Sequence, residues 1–587
     1  MSEARAHPSA PPAQGAAAAP VAAARAVRRR DVALLLALAA LLVLPNLGGP
    51  RLWSDEGDTA VFARTILARG LPYAWDGRTF TESDRGRRLN EDLLMVGTPW
   101  LPYYATAASF AALGESAFSA RLPFALCAVA AVALLYLLVA DLTRDRRAAL
   151  AAALLLLASV QFLLFARQSR HYAPNALGTL AVLWGFARLR VRPRSPVFAA
   201  SSILLFHVHP LPAAATLAGS AFAALVHPDF ARARRPLLAW SGAIALGTLP
   251  WLAIAWTGWE ENSSALARAG ELPVRLAQAG VEAAEAVPLL GWLALFLAGR
   301  RRLARGDGAF LALALPCIAA FVALLALALS VGELFALGLR YAVGVLPLAA
   351  GVTGVLAVRA AGASRWRLAA LLALFAATHV PGATALYLTL ARDSARDQTG
   401  VLFHEPRGAL GPWLRVEWLG YPRELVESDP GTVSHVVAYL AEHAEPEDIL
   451  VTNYEWEPLY FHTRLPQGYK VLPDYDLYEA ARAHGLPDHA FDAGAARWVV
   501  WRPPAEGYQG YRFADVRAAV ESRGRRLEPV ATVPETLWEN RPELHFHRFP
   551  GVRYLYPVDV LRSGYGHGGP ARIYRVEAGA PSPSPSP

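Results

Sequence analysis

Eleven apolar stretches, some of them shorter than a full membrane-spanning helix, constrain the fold of this chain more than any other feature. They lie near residues 32–47, 121–140, 148–166, 175–189, 196–210, 211–227, 237–257, 284–298, 309–331, 339–358 and 368–389. A helix needs roughly 20 apolar residues to cross the hydrocarbon core of a bilayer. The boundary within "HVHPLP" at 207–212 is the least defined. The sequence predicts a polytopic α-helical membrane protein with about 11 transmembrane helices.

The arginines test this topology independently. Basic clusters occupy alternate gaps between the apolar stretches, at 25–30, 144–147, 188–194, 232–235, 300–305 and 359–367. Short loops rich in Lys and Arg remain on the cytoplasmic side of a membrane. The N-terminus is therefore expected to be cytoplasmic, and the region after residue 390 is expected to lie outside. This distribution explains the net charge of +8 as a topology signal, so no nucleic-acid partner is expected.

Composition divides the chain into four parts. Residues 1–30, rich in Ala and Pro, and residues 576–587, with "PSPSPSP", are expected to be disordered tails. Residues 31–390 are expected to form a transmembrane domain with a large outer loop at 48–120. After residue 390, "VSHVVAYLAEHA" and "ADVRAAVESRG" predict helices, whereas "DILVTNY" and "ARWVVWRP" predict strands. Residues 391–575 are therefore expected to form a periplasmic α/β domain.

The outer loop at 48–120 is expected to carry helices along the membrane surface. "DTAVFARTILARG" predicts a helix that ends at Gly70, because glycine adopts the left-handed conformation common after the last helical turn. "TPWLPYYATAASFAALG" at 98–114 predicts a second helix, rich in the aromatic residues that favour membrane interfaces.

The sequence gives no support for metal, disulfide or nucleotide chemistry. Cys127 and Cys317 lie in apolar stretches and are expected to be free thiols. The sequence has no His and Cys pattern with zinc spacing and no Gly-rich nucleotide loop. "HFHRF" at 545–549 alternates as a strand does, and a strand is favoured over a metal site there. We expect no metal and no cofactor.

Asp55 and Glu56 follow directly on the first apolar stretch, in "RLWSDEGD". Acidic residues are favourable at helix N-termini, so both could simply stabilise the start of the next helix. A carboxylate at the membrane–water boundary could instead be partly desolvated, which raises its pKa and its strength as a base. In that interpretation Asp55 is a general base that takes a proton from a hydroxyl arriving from the aqueous side.

Cationic and aromatic residues recur at helix ends on the same predicted outer face. They are Arg167, Arg170, His171 and Tyr172 in "ARQSRHYAPN", Arg340 and Tyr341 in "GLRYAVGVLP", and His207 and His209 in "FHVHPLP". Arg and Tyr side chains could anchor the helices at the interface, and the histidines could satisfy local hydrogen bonds. Arginine is also well suited to bind phosphate. Together with a carboxylate, these residues suggest a reaction in which a lipid-linked phosphate is the leaving group.

The order of these motifs resembles the GT-C superfamily of membrane glycosyltransferases, in particular the protein O-mannosyltransferases and the lipid A aminoarabinose transferases. The resemblance covers about residues 30–470 and is carried by "WSDEGDTAVFARTILARG", "TPWLPYYATAASFAALGESAFSARLPFAL", "ARQSRHYAPNAL", "HVHP", "LRYAVGVLPLAAG" and "ILVTNYEWEPLYFHT".

The resemblance implies an inverting, metal-independent transferase that uses a polyprenyl-phosphate sugar on the outer face of a bacterial inner membrane. Asp55 matches the catalytic acidic residue of the family, Glu56 its neighbour, and Tyr103 lies in the matching "PWLPYY" stretch. The implied partners are the polyprenyl-phosphate-sugar donor, membrane lipid, and an acceptor that is a glycan, a lipid or a protein.

Two positions depart from the family. The aminoarabinose branch commonly has a lysine where this chain has Thr98, and Arg87 or Arg88 could replace it. Many relatives also have an acidic residue where this chain has Asn175. The resemblance therefore does not define the lipid-phosphate site or the sugar.

A transporter of lipid-linked sugars is the alternative from another functional class. It would explain the helices and the outer arginines equally well, but the sequence shows none of the repeats that many transporters have. A third interpretation, a membrane anchor for an outer binding domain, leaves the acidic loop unexplained. The large outer loop and the α/β region favour an enzyme.

Overall fold

A computed structural model describes residues 18–83, 85–255, 269–284, 286–329, 341–382, 417–427, 431–472, 475–503, 510–534 and 570–578. Arg340 and the predicted strand at 545–549 lie outside these ranges.

Helices dominate the region up to residue 382, where the apolar stretches lie. In chain order they are α1 (Ala18–Val43), α2 (Ser54–Arg69), α3 (Leu101–Leu113), α4 (Ala117–Thr143), α5 (Arg146–Leu157), α6 (Val160–Ala166), α7 (Tyr172–Leu189), α8 (Val197–Val208), α9 (Pro210–Val226), α10 (Arg234–Ala255), α11 (Leu272–Ala284), α12 (Leu289–Gly299), α13 (Arg305–Ala328), α14 (Leu346–Ala361) and α15 (Arg365–Ala377). Short 3-10 turns occur at Pro228–Ala233, Ala269–Glu271, Arg300–Arg302 and Ala342–Val345.

By length and composition, four of the described helical segments could each cross a membrane: Ala117–Thr143, Pro228–Ala255, Arg305–Ala328 and Val343–Ala361. The bent pair α5–α6 would make a fifth span, and α8 and α9 are shorter apolar helices. The chain is thus helical and multi-pass. The total of eleven spans stays a prediction.

The predicted span at 148–166 differs from a straight helix. Helix α5 ends at Leu157, α6 begins at Val160, and the two axes are bent by 66°. Ser159 explains the break, because its Oγ accepts a hydrogen bond from the Phe162 N–H at 3.3 Å and so caps a new helix. The boundary at 207–212 has a similar cause: His209 has extended backbone (φ −164°, ψ 126°), and Pro210 begins α9.

Both predicted tails are shorter than expected. Helix α1 already begins at Ala18, so residues 18–30 are helical. Polar contacts extend it beyond the apolar stretch: Arg28 Nη1 donates to Asp141 Oδ1 at 2.8 Å, and Arg146 pairs with the buried Asp31 at 2.6 Å. At the other end, strand pairing carries ordered chain to Ala578.

The region after residue 416 contains a small mixed sheet with helices around it. The strands are β1 (Leu450–Thr452), β2 (Trp498–Trp501), β3 (Arg525–Val533) and β4 (Ala571–Ala578), and the helices are α16 (Glu417–Glu424), α17 (Thr432–His443), α18 (Trp456–Thr463), α19 (Tyr475–Ala483) and α20 (Phe513–Glu521), with 3-10 turns at Asp488–Phe491 and Ala493–Ala495. The strand order is β1-β2-β4-β3; β1 and β2 are parallel, and the other pairs are antiparallel. The two helices and two strands predicted here are confirmed as α17, α20, β1 and β2.

One hydrophobic core joins the outer loop to this C-terminal region. Phe62 and Phe110 from the loop are buried with Tyr460 and Phe461 of α18, and the Phe110 and Phe461 rings stack with centroids 5.9 Å apart. Gly57 permits a close approach of the two backbones, because a Cβ atom there would lie 2.6 Å from the backbone nitrogen of Pro458. The C-terminal region therefore packs directly against the first turns of α2.

Candidate active site at the start of helix α2

Helix α2 places the acidic residues of "SDEGD" on different faces. The helix begins at Ser54, with Asp55 and Glu56 in its first turn, and ends at Gly70, whose φ of 81° confirms the predicted C-cap. Successive helical residues are rotated by about 100°, so residues three apart share a face whereas neighbours do not. Asp55 and Asp58 are therefore paired on one face, and Glu56 points elsewhere.

Arg170 binds the face that carries Asp55 and Asp58. It lies in the turn between α6 and α7, and its Nη atoms are 3.7 Å from Asp55 Oδ2 and 3.6 Å from Asp58 Oδ2. Its Nη1 also donates to the Asp55 carbonyl at 3.1 Å and to Thr59 Oγ1 at 3.3 Å. The structure thus brings the predicted Arg170 to the predicted Asp55, and it adds Asp58.

Burial and charge set the protonation of this cluster. The Asp55 side chain is 26% exposed, whereas Asp58 is buried. Burial raises the pKa of Asp58 to about 6; Arg170 and Arg88 oppose the rise, and Asp55 adds to it. Burial lowers the pKa of Arg170, but the neighbouring carboxylates outweigh burial and hold it above its ordinary value. Asp55 is thus the carboxylate that faces solvent, next to a guanidinium that stays charged.

Glu56 is enclosed in a buried ion pair. Arg121 Nε and Nη2 donate to its two carboxylate oxygens at 2.7 and 2.6 Å, and the Ser169 N–H donates to it at 2.8 Å. Arg121 also donates to the carbonyls of Leu47, Pro50 and Arg51. The exposed fraction of Glu56 is 0%. Its position lets it hold the loop before α2 against α4 rather than contact a substrate.

Arg167 also stabilises a backbone segment, at the end of α1. Its Nη1 donates to the carbonyls of Val43 and Pro45 at 2.9 and 2.8 Å, and its Nη2 donates to the Asn46 carbonyl at 3.3 Å. These are carbonyls at and after the end of α1, which have no partner within the helix. Arg167 therefore secures the exit of the first apolar helix.

The predicted aromatic residues gather beside Arg170. The ring centroids of His171 are 4.7 Å from Tyr172, 4.8 Å from His209 and 6.1 Å from Tyr341, and His209 is 5.9 Å from Tyr341. Residues from "RHYAPN", the α8–α9 break and "RYAVG" thus meet in one cluster. His207 does not join it in this way, since its Nε2 lies 3.0 Å from the carbonyl of Gly247.

Tyr103 forms another wall of the site. It is buried, its ring packs on Phe62 at 5.4 Å, and its hydroxyl lies 2.8 Å from Thr98 Oγ1. Burial raises the pKa of Tyr103, and the charge of Asp58 raises it further. Thr98, which departs from the family lysine, thus serves here as a hydrogen-bond partner of Tyr103.

Arg87 and Arg88 differ in their relation to the site. Arg87 is exposed, whereas Arg88 is partly buried, and its stem packs on Gly97, where a Cβ atom would lie 2.6 Å from the Arg88 Cβ. The charge of Arg88 also acts on Asp58 and on Tyr103. Of the two arginines, Arg88 is the one directed toward the acidic face.

Sequence reasoning missed a second set of buried ionisable groups behind Asp58. They are Glu82 of the outer loop and Glu457 and Lys470 of the C-terminal region. Burial raises the pKa of both glutamates and lowers that of Lys470. The signal available in the sequence was "NYEWEP", where two glutamates stand among large apolar residues. Within the described ranges, no group of three or more His, Cys, Asp or Glu is placed to hold a metal ion.

Comparisons with known proteins show which families and folds this chain is similar to. Residues 98–206 match the family model described as dolichyl-phosphate-mannose-protein mannosyltransferase. Curated protein sequences gave no significant match. Among solved structures, the chain is similar to ArnT from Cupriavidus metallidurans bound to undecaprenyl phosphate, with a TM-score of 0.51, 18% identity, and coverage of 80% of this chain and 93% of that one.

Two further structures are more distant. The archaeal oligosaccharyltransferase AglB from Archaeoglobus fulgidus, in complex with an inhibitory peptide and a dolichol-phosphate, gives a TM-score of 0.44 at 13% identity, covering 81% of this chain and 69% of that one. The arabinofuranosyltransferase AftD from Mycobacteria gives 0.43 at 17% identity, covering 95% of this chain and 40% of that one.

The fold is similar to that of ArnT, and the resemblance to the GT-C superfamily inferred from the sequence is confirmed as a likeness of fold. Residues 98–206, which run from α3 to α8, have the sequence pattern of the protein mannosyltransferase family.

Proposed function

We propose that this protein is a glycosyltransferase that moves a sugar from a polyprenyl-phosphate donor to a lipid, polysaccharide or protein acceptor. It would act at the outer face of a bacterial inner membrane, with its C-terminal α/β region in the periplasm. The observation that carries the proposal is the contact of Arg170 with both Asp55 and Asp58 at the start of α2. The GT-C fold supports the same conclusion.

In the proposed reaction, Asp55 is the general base. Its carboxylate takes the proton of an acceptor hydroxyl, and the acceptor oxygen forms a bond to the anomeric carbon of the sugar. The bond from that carbon to the phosphate oxygen breaks, its electron pair leaves with the polyprenyl phosphate, and the anomeric configuration is inverted. The partly exposed position of Asp55 beside the buried Asp58 suits this role, because an aqueous acceptor can reach it.

The phosphate of the donor needs cationic partners, and Arg170 and Arg88 are the proposed ones. A guanidinium can bind phosphate oxygens through paired N–H groups and stabilises the negative charge that develops on the leaving group. Arg88 is proposed to bind the donor phosphate in place of the family lysine at position 98, since its charge already acts on Asp58. His171, Tyr172, His209 and Tyr341 are proposed to line the sugar-binding side, whereas Glu56 and Arg167 position the backbone.

A transporter of lipid-linked sugars remains the second candidate, because one observation favours it. The bent α5–α6 pair borders a cavity lined by Ser159, Gln161 and Thr353, among other residues. Broken helices next to polar cavities occur at the substrate sites of many transporters.

One experiment separates the two functions. The full-length protein and its Asp55→Asn variant are purified, and release of polyprenyl phosphate is followed from a radiolabelled polyprenyl-phosphate-sugar pool with cell-envelope extract as acceptor. Loss of a general base slows such a step by about 10²–10⁴-fold. Asp92→Asn, at an exposed position of the same outer loop, is the matched control and should release at the wild-type rate.

Equal release by Asp55→Asn and wild type would reduce Asp55 to a helix-stabilising residue. No release by either protein, together with passage of labelled lipid across a reconstituted bilayer, would establish the transporter instead.

A further inference from the structure

Helix α15 runs antiparallel to α12, and both helices pack against α14. Gly291, in the first turn of α12, faces the last turn of α15, because a Cβ atom there would lie 2.6 Å from Phe375 Cζ. The end of α12 and the beginning of α15 therefore lie on the same side of the molecule. That side carries the basic clusters at 300–305 and 359–367, and it is the predicted cytoplasmic side.

The turn that follows α12 is fixed to the end of α14. A Cβ atom at Gly299 would lie 2.8 Å from the backbone nitrogen of Ala360. Arg302 Nη1 donates to the carbonyls of Arg359 and Ala360 at 3.1 and 3.2 Å. Only residues 362–364 separate the end of α14 from the beginning of α15. The turn after α12 and the first turn of α15 are therefore neighbours.

Four exposed arginines at this junction form what we call the cationic patch: Arg300, Arg301, Arg365 and Arg367. Trp366 lies between two of them in the sequence, its residue is 74% exposed, and its ring centroid is 5.4 Å from the Arg365 guanidinium. Within the part of the chain that the structure describes, no carboxylate pairs with any of the four arginines. The patch thus presents positive charge that these parts of the protein leave without a counter-charge.

Neighbouring arginines on the same side are occupied by carboxylates. Arg359 pairs with Asp307 at 2.6 Å and with Asp145 at 2.9 Å, and Arg305 pairs with Asp229. The acidic side chains near the junction are thus already used within the fold. The arginines of the cationic patch are available to an anion from outside the protein, and guanidinium groups favour phosphate.

The surface that leads into the cationic patch is apolar. Leu293 and Leu297 of α12 are 56% and 55% exposed, and the arginines follow Leu297 within one turn. A change from exposed leucine to exposed arginine over one turn is typical of the boundary between membrane and water, where Trp side chains are also favoured. Lipid phosphate groups lie at that depth. An acidic soluble protein would not require the exposed apolar surface next to the arginines.

We propose that the cationic patch binds the phosphate head group of an anionic phospholipid, with Trp366 at the level of the head groups. Basic pockets between transmembrane helices recognise such head groups. The bound lipid neutralises the like charges that meet where α12, α14 and α15 join. The inference does not depend on the proposed reaction, because the patch contains no residue of the candidate active site.

The test measures lipid binding by the purified full-length protein in a neutral detergent. The probe is phosphatidylglycerol with a fluorescent acyl chain, and phosphatidylcholine with the same chain is the uncharged comparison. Arg365→Gln combined with Arg367→Gln should weaken phosphatidylglycerol binding by about 30-fold, since each basic residue near an anionic head group strengthens binding by about fivefold. The matched control is Arg192→Gln combined with Arg194→Gln, which removes two exposed arginines from another loop on the same predicted side and should bind as wild type does.

Equal weakening in the two double variants would overturn the inference, because it would show a general effect of charge. Equal binding of phosphatidylglycerol and phosphatidylcholine by the wild type would overturn it as well. Inorganic phosphate that displaces the probe at the same concentration as unlabelled phosphatidylglycerol would indicate a site for free anions and refute the lipid assignment.

A second variant keeps the test decisive if the first one does not fold. Arg300→Gln combined with Arg301→Gln changes two other exposed arginines of the cationic patch and leaves Arg302 in its contact with α14. It should weaken phosphatidylglycerol binding to a similar extent, and unchanged binding would refute the patch. The measurement involves no turnover, so its result is independent of the proposed function.

Discussion

Asp58 is a buried carboxylate whose ionisation should cost stability, and Asp58→Asn tests this directly. Burial raises its pKa from an ordinary 3.8 to about 6, even though Arg170 and Arg88 oppose the rise. The folded protein therefore holds this proton more tightly than the unfolded chain does. Stability falls as pH rises from 3.8 through about 6, and the full penalty is present above that range. A difference of about two pH units corresponds to about 3 kcal/mol.

The assay compares unfolding of the purified wild type and Asp58→Asn across this pH window. Tryptophan fluorescence is suitable, since the chain has 16 Trp residues. The free energy of unfolding of the variant should increase relative to that of wild type as pH rises, by up to about 3 kcal/mol. Asparagine carries no charge that must be buried. Asp92→Asn, at an exposed site, should differ from wild type in unfolding free energy by the same amount at every pH.

The reasoning would be refuted if the difference in unfolding free energy between Asp58→Asn and wild type were the same at both ends of this pH range. It would mean that Arg170 and Arg88 fully offset the burial of Asp58. The same variant should lose activity while gaining stability, because the proposed site depends on the Asp58–Arg170 pair.

Two further substitutions test the supports of the site. Arg121→Met should destabilise the protein by about 3–5 kcal/mol, since it leaves Glu56 charged and buried. In a double-mutant cycle, Glu56→Gln combined with Arg121→Met should cost less unfolding free energy than the sum of the two single changes. Additive costs would contradict a direct pair. Gly57→Ala should separate α2 from α18 at a cost of about 1–3 kcal/mol and slow polyprenyl phosphate release, because the new Cβ meets the Pro458 nitrogen at 2.6 Å. Gly242→Ala, with nothing within 4 Å, is the matched control and should leave both stability and release essentially unchanged.

Hydropathy predicted apolar helices, and Gly70 predicted the end of α2, because both signals depend on local sequence. The break at Ser159 escaped that reasoning, since one capping hydroxyl is enough to end a helix inside an apolar stretch. In the site, the sequence predicted Asp55 and Arg170 on one side of the membrane, and their 3.7 Å contact came only from the structure. Glu457 could not be predicted, because its contact with Ser54 joins positions 403 residues apart.

Arg167 and Arg170 show why the sequence alone could not separate the roles of neighbouring arginines in the candidate site. Both lie on the same predicted outer face, so positive-inside reasoning treats them alike. Arg167 uses its guanidinium on main-chain carbonyls after α1, and arginine has no donors beyond that planar group. Arg170 also donates to the Asp55 carbonyl, but its Nη atoms lie 3.6–3.7 Å from two carboxylates, long enough for a phosphate to compete for its N–H groups. What a cation can bind is decided by which acceptors already surround it, and only the folded chain supplies those.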